Sequence, residues 1–242
     1  MSKVKEAINK LTKELNEHNY NYYVLSSPTI SDYDFDLLLK ELQDLEVKFP
    51  EFAEENSPTK RVGGDITKNF PSIAHRFPML SLGNSYSKEE IIDFDARIRK
   101  VIEREIEYIC ELKYDGVAIS LTYENGELTK AVTRGDGTSG EEVTANIRTI
   151  RSIPLKLKGD YPIDFDIRGE IVFPHVNFKT LNEERKKLGE PEFANPRNTA
   201  SGTVKMQDSS VVAKRGLDCF LYAVYGNNLS FKSHYQGLTN AG

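Results

Sequence analysis

The feature that most constrains the fold of this chain is the dipeptide Asn125-Gly126, which lies between two strand-like runs. The runs VAISLTYE and ELTKAVTRG flank it and are rich in apolar, β-branched and aromatic residues. An Asn-Gly pair in this context is typical of a two-residue β-hairpin, because both positions accept positive φ. The sequence therefore predicts two antiparallel strands at this point.

Further segments indicate an α+β fold. The runs YICELK, IDFDIRGEIVF and DCFLYAVY are typical of strands, and a helix is predicted after Pro174. Ser87 is a candidate cap for another helix, whose inner side would carry Ile91, Ile92, Phe94, Ile98, Val101 and Ile102. We expect a largely antiparallel sheet with flanking helices.

The N-terminal region has a different pattern, which is that of a helical hairpin. An apolar stripe at helical spacing is formed by Val4, Ile8, Leu11, Leu15 and Tyr22. A second helix is predicted to begin at Ser31-Asp32, where Ser31 resembles a capping residue, and to end near Phe49-Pro50. The polar loop VLSSPTIS between them is where we expect a ligand.

A stretch rich in proline, glycine and polar residues separates the two patterns. We therefore predict a helical module over residues 1–60, a linker over 61–78 and a second domain over 79–242.

Composition restricts the functional classes. The net charge of −5 argues against a protein that coats nucleic acid by bulk charge. A polyanion would need a local basic surface, for which the candidates are Lys186 with Lys187, the segment 197–205, and Lys214 with Arg215; ordinary solvated faces are an equal alternative.

Hydropathy and cysteine usage restrict the expected location of the protein and the kinds of site that it can hold. The sequence has neither an apolar run of eighteen residues nor a signal-peptide core, so we expect a cytoplasmic protein with no membrane partner. Its two cysteines, Cys110 and Cys219, lie in apolar runs that we interpret as buried strands. They provide neither a disulfide framework nor a four-thiolate zinc site.

The run CELKYDG contains the candidate reactive group. Strand alternation would place Glu111, Lys113 and Asp115 on one face, with Gly116 allowing close approach of a ligand. Pairing of Lys113 with its acidic neighbours on an exposed face is an equally good interpretation of the run alone. A nucleophilic lysine must be neutral, whereas adjacent carboxylates favour its protonated form. We therefore expect both carboxylates to be engaged elsewhere, by adenine, ribose or a divalent cation, with Arg134 offsetting the charge of a phosphate.

The same run resembles the lysine motif of the covalent nucleotidyltransferases, which include DNA ligases, RNA ligases and messenger-RNA capping enzymes. Other motifs follow in the order typical of bacterial NAD-dependent DNA ligases: PMLSLGNSY from Pro78, RGDGTSGEEVTANIRTIRSIPL from Arg134, DIRGEIV around Glu170 and FANPRNTASGTVK from Phe193. The resemblance covers essentially the whole chain. It implies a small N-terminal module that binds nicotinamide mononucleotide, followed by an ATP-grasp-like adenylation domain.

The resemblance also implies a reaction and its residues. Lys113 attacks the α-phosphate of NAD to form lysyl-AMP, the AMP passes to the 5′-phosphate of a DNA nick, and the 3′-hydroxyl seals the nick. Around the nucleotide the implied residues are Ser81, Leu82, Glu111, Asp115, Arg134, Glu170 and Tyr222. For the nicotinamide half they are Tyr22, Tyr23, Asp32 and Asp36, the tyrosine rings attracting the cationic ring by about 0.5 to 2 kcal/mol. Packing within the hairpin and a helix N-terminal position remain alternatives for Tyr22 and for the two acids.

Implied contacts to DNA phosphate are Arg197 and Lys205. The implied cofactors are NAD and Mg²⁺, for which Mn²⁺ can substitute; Zn²⁺ belongs only to a four-cysteine module that this sequence lacks, and no metal site held by this chain is expected. Nicked double-stranded DNA is the implied partner of a monomeric enzyme. Two residues depart from the family pattern, Phe35 for tyrosine and Lys205 for arginine.

The sequence ends before two later lysine motifs of the family, so we expect a fragment, truncated at the C-terminal end of its adenylation domain, that cannot ligate by itself. Three alternatives remain: an ATP- or GTP-using RNA ligase or capping enzyme, a non-catalytic module that binds NAD or nucleic acid, and a Schiff-base lysine enzyme.

Overall fold

The computed structural model describes residues 3–23, 29–61, 69–227 and 229–241. Most of the predicted ligand loop, residues 24–28, lies outside this range, as do the side chains of Tyr22, Tyr23 and Asp32.

Two successive helices form the N-terminal region, as predicted. Helix α1 spans Lys3–Tyr23 and helix α2 spans Asp32–Lys48. The side chain of Ser31 accepts a hydrogen bond from the backbone N–H of Asp34, which confirms the predicted cap. The apolar stripes meet in a small core formed by Ile8, Leu11, Leu15 and Leu42.

The second region is built on a four-stranded antiparallel sheet. Its strands are β2 (Val117–Glu124), β3 (Glu127–Thr133), β5 (Asp164–Val172) and β6 (Asp218–Tyr225), in the order β3-β2-β5-β6. Asn125 and Gly126 have φ values of 52° and 78°, so the predicted two-residue hairpin is confirmed. A smaller sheet pairs β1 (Ser72–Ala74) with β4 (Ser139–Glu141).

One face of the large sheet carries the main hydrophobic core. Ile119 and Leu121 of β2 and Ile167 and Ile171 of β5 are buried there. Residues from α4 (Thr144–Ile147), α6 (Pro196–Val204) and α7 (Ser209–Lys214) pack against them. Helix α5 (His175–Lys187) follows Pro174 as predicted, and α8 (His234–Ala241) contacts β6. Helices and antiparallel sheets together confirm the α+β class.

Part of the segment that we interpreted as a linker is attached to the second region. Arg61, only 7% exposed, donates from its guanidinium to the backbone carbonyls of Arg148, Ile150 and Ile153. After residues 62–68, strand β1 pairs with β4. The N-terminal helices are therefore followed by a segment that is fixed to the larger fold on both sides of that gap.

Two sequence predictions were wrong. Helix α3 (Lys88–Arg99) begins after Ser87 as expected, but it buries no residue, and Ile91, Ile92 and Phe94 are about half exposed at 54%, 55% and 44%. Val101 and Ile102, predicted on the same inner side, are exposed as well. Among the described residues, no element covers this apolar face, so periodicity alone misassigned it.

The second wrong prediction concerns YICELK. Residues 105–115 form no strand, and Cys110 is exposed. A strand needs a neighbour for its ladder hydrogen bonds, and within the described ranges none pairs with this segment. Cys219, by contrast, lies in β6 as expected, and burial raises the pKa of its thiol.

Candidate active site

Gly116 fixes the chain just after Lys113 to the edge of β5. Its backbone N–H donates to Glu170 Oε1 at 3.2 Å. A Cβ atom at this position would lie 2.1 Å from the carbonyl oxygen of Ile171, so only glycine allows the backbone to come this close. The close approach that the sequence suggested for a ligand is made here by the neighbouring strand.

Tyr114 lies on the ring of Phe220. The two ring centroids are 4.1 Å apart and the planes differ by 7°. Phe220 belongs to β6 and lies opposite Glu170 in the strand register. The residue next to Lys113 is therefore held by an aromatic contact beside Glu170.

Both acidic neighbours of Lys113 are paired with other groups. Asp115 Oδ1 lies 3.2 Å from Arg197 Nη1, and Glu111 Oε1 lies 2.8 Å from His234 Nε2. These partners are side chains of the protein, whereas we expected adenine, ribose or a divalent cation to engage the two carboxylates; that expectation stays a prediction. The described ion pairs include none between Lys113 and either acid, which disfavours the interpretation of Lys113 as their partner.

Glu170 lies among the charged groups of the site. Burial raises the pKa of its carboxyl, while the hydrogen bond from Gly116 and the positive charges of Lys113, Arg197 and Arg134 act in the opposite direction. Lys113 itself is exposed. The structure therefore brings a free-standing amine, a half-buried carboxyl and two guanidinium groups to one end of the sheet.

Tyr222 is placed beside this cluster by an irregularity in β6. In the pairing of β5 with β6, Arg168 lies opposite Ala223 and Gly169 lies opposite Leu221, so Tyr222 is the extra residue of a β-bulge. Burial and the nearby Glu170 carboxylate raise the pKa of Tyr222 to about 12. Its phenol stays protonated at neutral pH and presents a flat, uncharged ring.

The loop after β3 holds the backbone of Arg134. Asp136 accepts hydrogen bonds from the backbone N–H groups of Thr138 and Ser139, which lower the pKa of its carboxyl to about 2. Gly135 and Gly137 have φ values of 56° and 94°, which favour glycine. His75 Nε2 donates to the carbonyl of Arg134 at 3.0 Å. Hydrogen bonds to the Asp136 carboxylate thus close this turn, and the exposed side chain of Arg134 extends from the turn.

Other predicted residues are not brought to Lys113 by any described contact. Ser81 and Leu82 are exposed, and Asp36 is exposed on α2. Lys205, at the C-terminal end of α6, pairs with Glu141 of β4. Arg197, near the N-terminal end of the same helix, lies in the cluster through Asp115.

Contacts of the N-terminal region lie at the opposite end of the sheet. Asn56 donates to Glu127 beside the β2–β3 turn, and Lys158 lies 5.0 Å from the ring centroid of Tyr20. Leu157, next to Lys158, donates to the carbonyl of Gly126 in that turn. The described contacts thus place the helical module at the hairpin end, whereas Lys113 precedes β2 at its other end.

Sequence reasoning missed three residues of the site: Tyr114, Phe220 and His234. Phe220 could have been noticed because it lies two positions before Tyr222 in the same strand. Nothing local indicates that His234, 123 positions from Glu111, would reach that carboxylate.

The described residues contain no group of three or more His, Cys, Asp or Glu side chains that could hold a metal ion. None of the described helices is long and apolar enough to cross a membrane.

Comparison with known proteins identifies the family. Residues 67–241 match the family model of the NAD-dependent DNA ligase adenylation domain, and residues 1–63 match that of the DNA ligase-like N-terminal NAD⁺-binding domain. The chain is 61% identical to a DNA ligase of Flavobacterium johnsoniae and 57% identical to one of Bacteroides fragilis. Each of these alignments covers 98% of this chain. It spans 36% of the length of these relatives. The chain therefore belongs to the NAD-dependent DNA ligase adenylation domain family, and its N-terminal residues 1–63 belong to the NAD⁺-binding domain type.

Proposed function

We propose that Lys113 becomes covalently adenylylated by NAD, as the first step of DNA nick sealing. The observation that carries this proposal is the pairing of both flanking carboxylates, Asp115 with Arg197 and Glu111 with His234. With Asp115 ion-paired and Glu111 hydrogen-bonded to other side chains, an exposed amine beside Glu170 is available as a nucleophile.

The chemistry is a substitution at phosphorus. The lone pair of Lys113 Nζ bonds to the α-phosphorus of NAD, the bond from that phosphorus to the nicotinamide mononucleotide oxygen breaks, and Nζ releases a proton. Arg134 offers a planar donor fork to the phosphate, which suits it to stabilising the developing charge. Glu170 accepts hydrogen bonds from ribose hydroxyls, and Tyr222 offers a ring face to adenine. Ser81 and Leu82 would edge the nucleotide pocket.

The helical module would bind the nicotinamide half. Tyr22 and Tyr23 provide ring faces for the cationic ring, and Asp32 and Asp36 accept hydrogen bonds from its amide or ribose. We assign residues 1–60 to this module, 61–78 to the connection and 79–242 to the adenylation domain.

Later steps belong to the longer polypeptides that the relatives represent. There the AMP would pass from Lys113 to the 5′-phosphate of nicked double-stranded DNA, with Arg197 and Lys205 contacting phosphates, in a monomeric cytoplasmic enzyme. Arg197 would have to exchange Asp115 for a phosphate to do so.

Mg²⁺ would be bound mainly by the phosphates of NAD, because the described residues offer no cluster of three metal ligands. Such a metal, or Mn²⁺ in its place, would offset phosphate charge. Zn²⁺ finds no ligand set in the described residues.

Intact-mass measurement after incubation with NAD and Mg²⁺ tests the proposal. We expect the mass of the chain to increase by one AMP, and we expect no increase with ATP in place of NAD. Lys113→Ala and Lys113→Arg should both abolish the adduct, since neither offers a primary amine. An adduct that persists in both variants would contradict the assignment of Lys113.

A further inference from the structure

The geometry points to Phe220 and Tyr114 as a pair of positioning residues that hold Lys113 in register with Glu170. This inference deepens the proposed function and rests on Lys113 being the nucleophile. It assigns no substrate contact to either ring: Phe220 acts on Tyr114, and Tyr114 acts on the adjacent lysine.

The stack of Tyr114 on Phe220 joins two parts of the chain that are not neighbours in the sheet. Strand β6 is separated from β2 by β5 in the sheet order. Tyr114 precedes β2 by only three residues, yet its ring lies on Phe220 of β6. The chain before β2 therefore crosses β5, and it does so at Glu170, whose register partner is Phe220.

The other anchors of this segment are less able to fix the lysine. Residues 105–115 form neither strand nor helix. The Asp115–Arg197 pair has side chains 68% and 53% exposed, and exposed pairs are weak and screened by salt. The hydrogen bond of Gly116 holds the backbone on the far side of Asp115. The stack is the anchor immediately next to Lys113, and it is not an ion pair that salt would screen.

Loss of the ring should therefore affect the chemical step. Phe220→Leu keeps an apolar side chain but removes the stacking plane. We expect the rate constant for adenylylation of Lys113 to fall about 3- to 10-fold, with the NAD concentration at half-maximal rate unchanged, because small displacements of a reacting group are costly. Phe220→Tyr keeps the plane and should retain the rate.

A double-mutant cycle isolates the pair from general destabilisation. Tyr114→Leu should have the same effect as Phe220→Leu, and the double variant should be no slower than either, since one contact is lost in all three. Tyr161→Leu is the matched control, because Tyr161 lies against Gly126 at the other end of the sheet; it should leave the rate unchanged. Multiplicative effects, or a slow Phe220→Tyr variant, would overturn the inference.

A measurement on the free chain separates this inference from the proposed function. Hydrogen exchange of the Gly116 amide, followed by NMR, should be several-fold faster in Phe220→Leu and Tyr114→Leu and unchanged in Phe220→Tyr and Tyr161→Leu. If exchange behaves so and no protein forms an AMP adduct, the positioning is supported and the proposed function fails. If exchange is the same in all variants, the positioning inference is wrong whatever the chemistry.

Discussion

Arg197 Nη1 lies 3.2 Å from Asp115 Oδ1, so the carboxylate two residues after Lys113 is paired with a guanidinium from the first turn of α6. A lysine between two acids would be held in its protonated form by unpaired carboxylates. The ion pair with Arg197 occupies the Asp115 carboxylate in the free protein, before any ligand binds. Helix α6 thereby supplies the partner of a residue beside Lys113 from over eighty positions away in the sequence.

Removal of Arg197 should slow adenylylation of Lys113. In Arg197→Ala the unpaired Asp115 carboxylate becomes available to pair with Lys113, which would hold the amine away from the nucleotide. We expect the rate of AMP loading at neutral pH to fall roughly threefold to tenfold, a modest effect because the site is exposed. Single-turnover loading measured by intact mass gives this rate. The double variant Arg197→Ala/Asp115→Asn should recover most of it, and a double variant as slow as Arg197→Ala would argue against this electrostatic explanation.

Alanine at Gly116 should be disruptive. A Cβ there would overlap the carbonyl oxygen of Ile171 at 2.1 Å, so β2 and β5 would have to separate locally. We expect Gly116→Ala to lower the free energy of unfolding by about 1 to 3 kcal/mol, the usual cost of overpacking. Urea-induced unfolding measures this change. Gly83→Ala is the control, because a Cβ at Gly83 meets nothing within 4 Å; equal stabilities of the two variants would contradict the packing argument.

Acid stability should depend on Asp136. The pKa of this carboxyl in the folded protein is about 2, below its ordinary value, because backbone and side-chain donors of Thr138 and Ser139 stabilise the charged form. A depressed folded pKa contributes stability above the unfolded pKa, and this contribution is lost as the pH falls through the folded value. Asp136→Asn should therefore be less stable than the parent near neutrality, and the difference should shrink between about pH 4 and pH 2. Urea unfolding as a function of pH tests this, and a constant difference would exclude the linkage.

Arg61 should contribute strongly to stability. Its guanidinium donates to three backbone carbonyls of the second region from a buried position. Arg61→Ala leaves these acceptors without that donor, and we expect a loss of about 2 to 3 kcal/mol in the free energy of unfolding, in the range for charged hydrogen bonds. Arg61→Lys should be intermediate, because an ammonium group lacks the planar fork. Arg104→Ala, at an exposed position, should change stability little.

Local patterns were sufficient for much of the fold. The hairpin at Asn125-Gly126 and the cap at Ser31 are formed by residues that are neighbours in the sequence, so their chemistry could be interpreted directly. The exposure of the apolar face of α3 could not be predicted in this way. Its periodicity predicts a helix correctly, but burial also depends on an element that covers the face, and periodicity does not identify one.

The site was predictable as a set of residue types rather than as an arrangement. The lysine and its acidic neighbours could be found from their spacing, whereas their partners Arg197 and His234 come from distant parts of the chain. The Tyr114–Phe220 stack depends on the chain crossing β5, and the position of Tyr222 depends on a bulge. Both are properties of strand pairing, which the separate strand patterns do not contain.

Strand β5 links the interior of the protein to its candidate chemistry. Ile167 and Ile171 of this strand lie in the hydrophobic core, while Glu170 lies on the opposite face and accepts from Gly116. A slip of β5 by one residue against β2 would exchange the two faces, placing a carboxyl in the core and removing it from Lys113. The burial energy that selects the correct register of β5 during folding therefore also aligns Glu170. A chain that pairs β5 with β2 in the wrong register would lose the arrangement of the site as well.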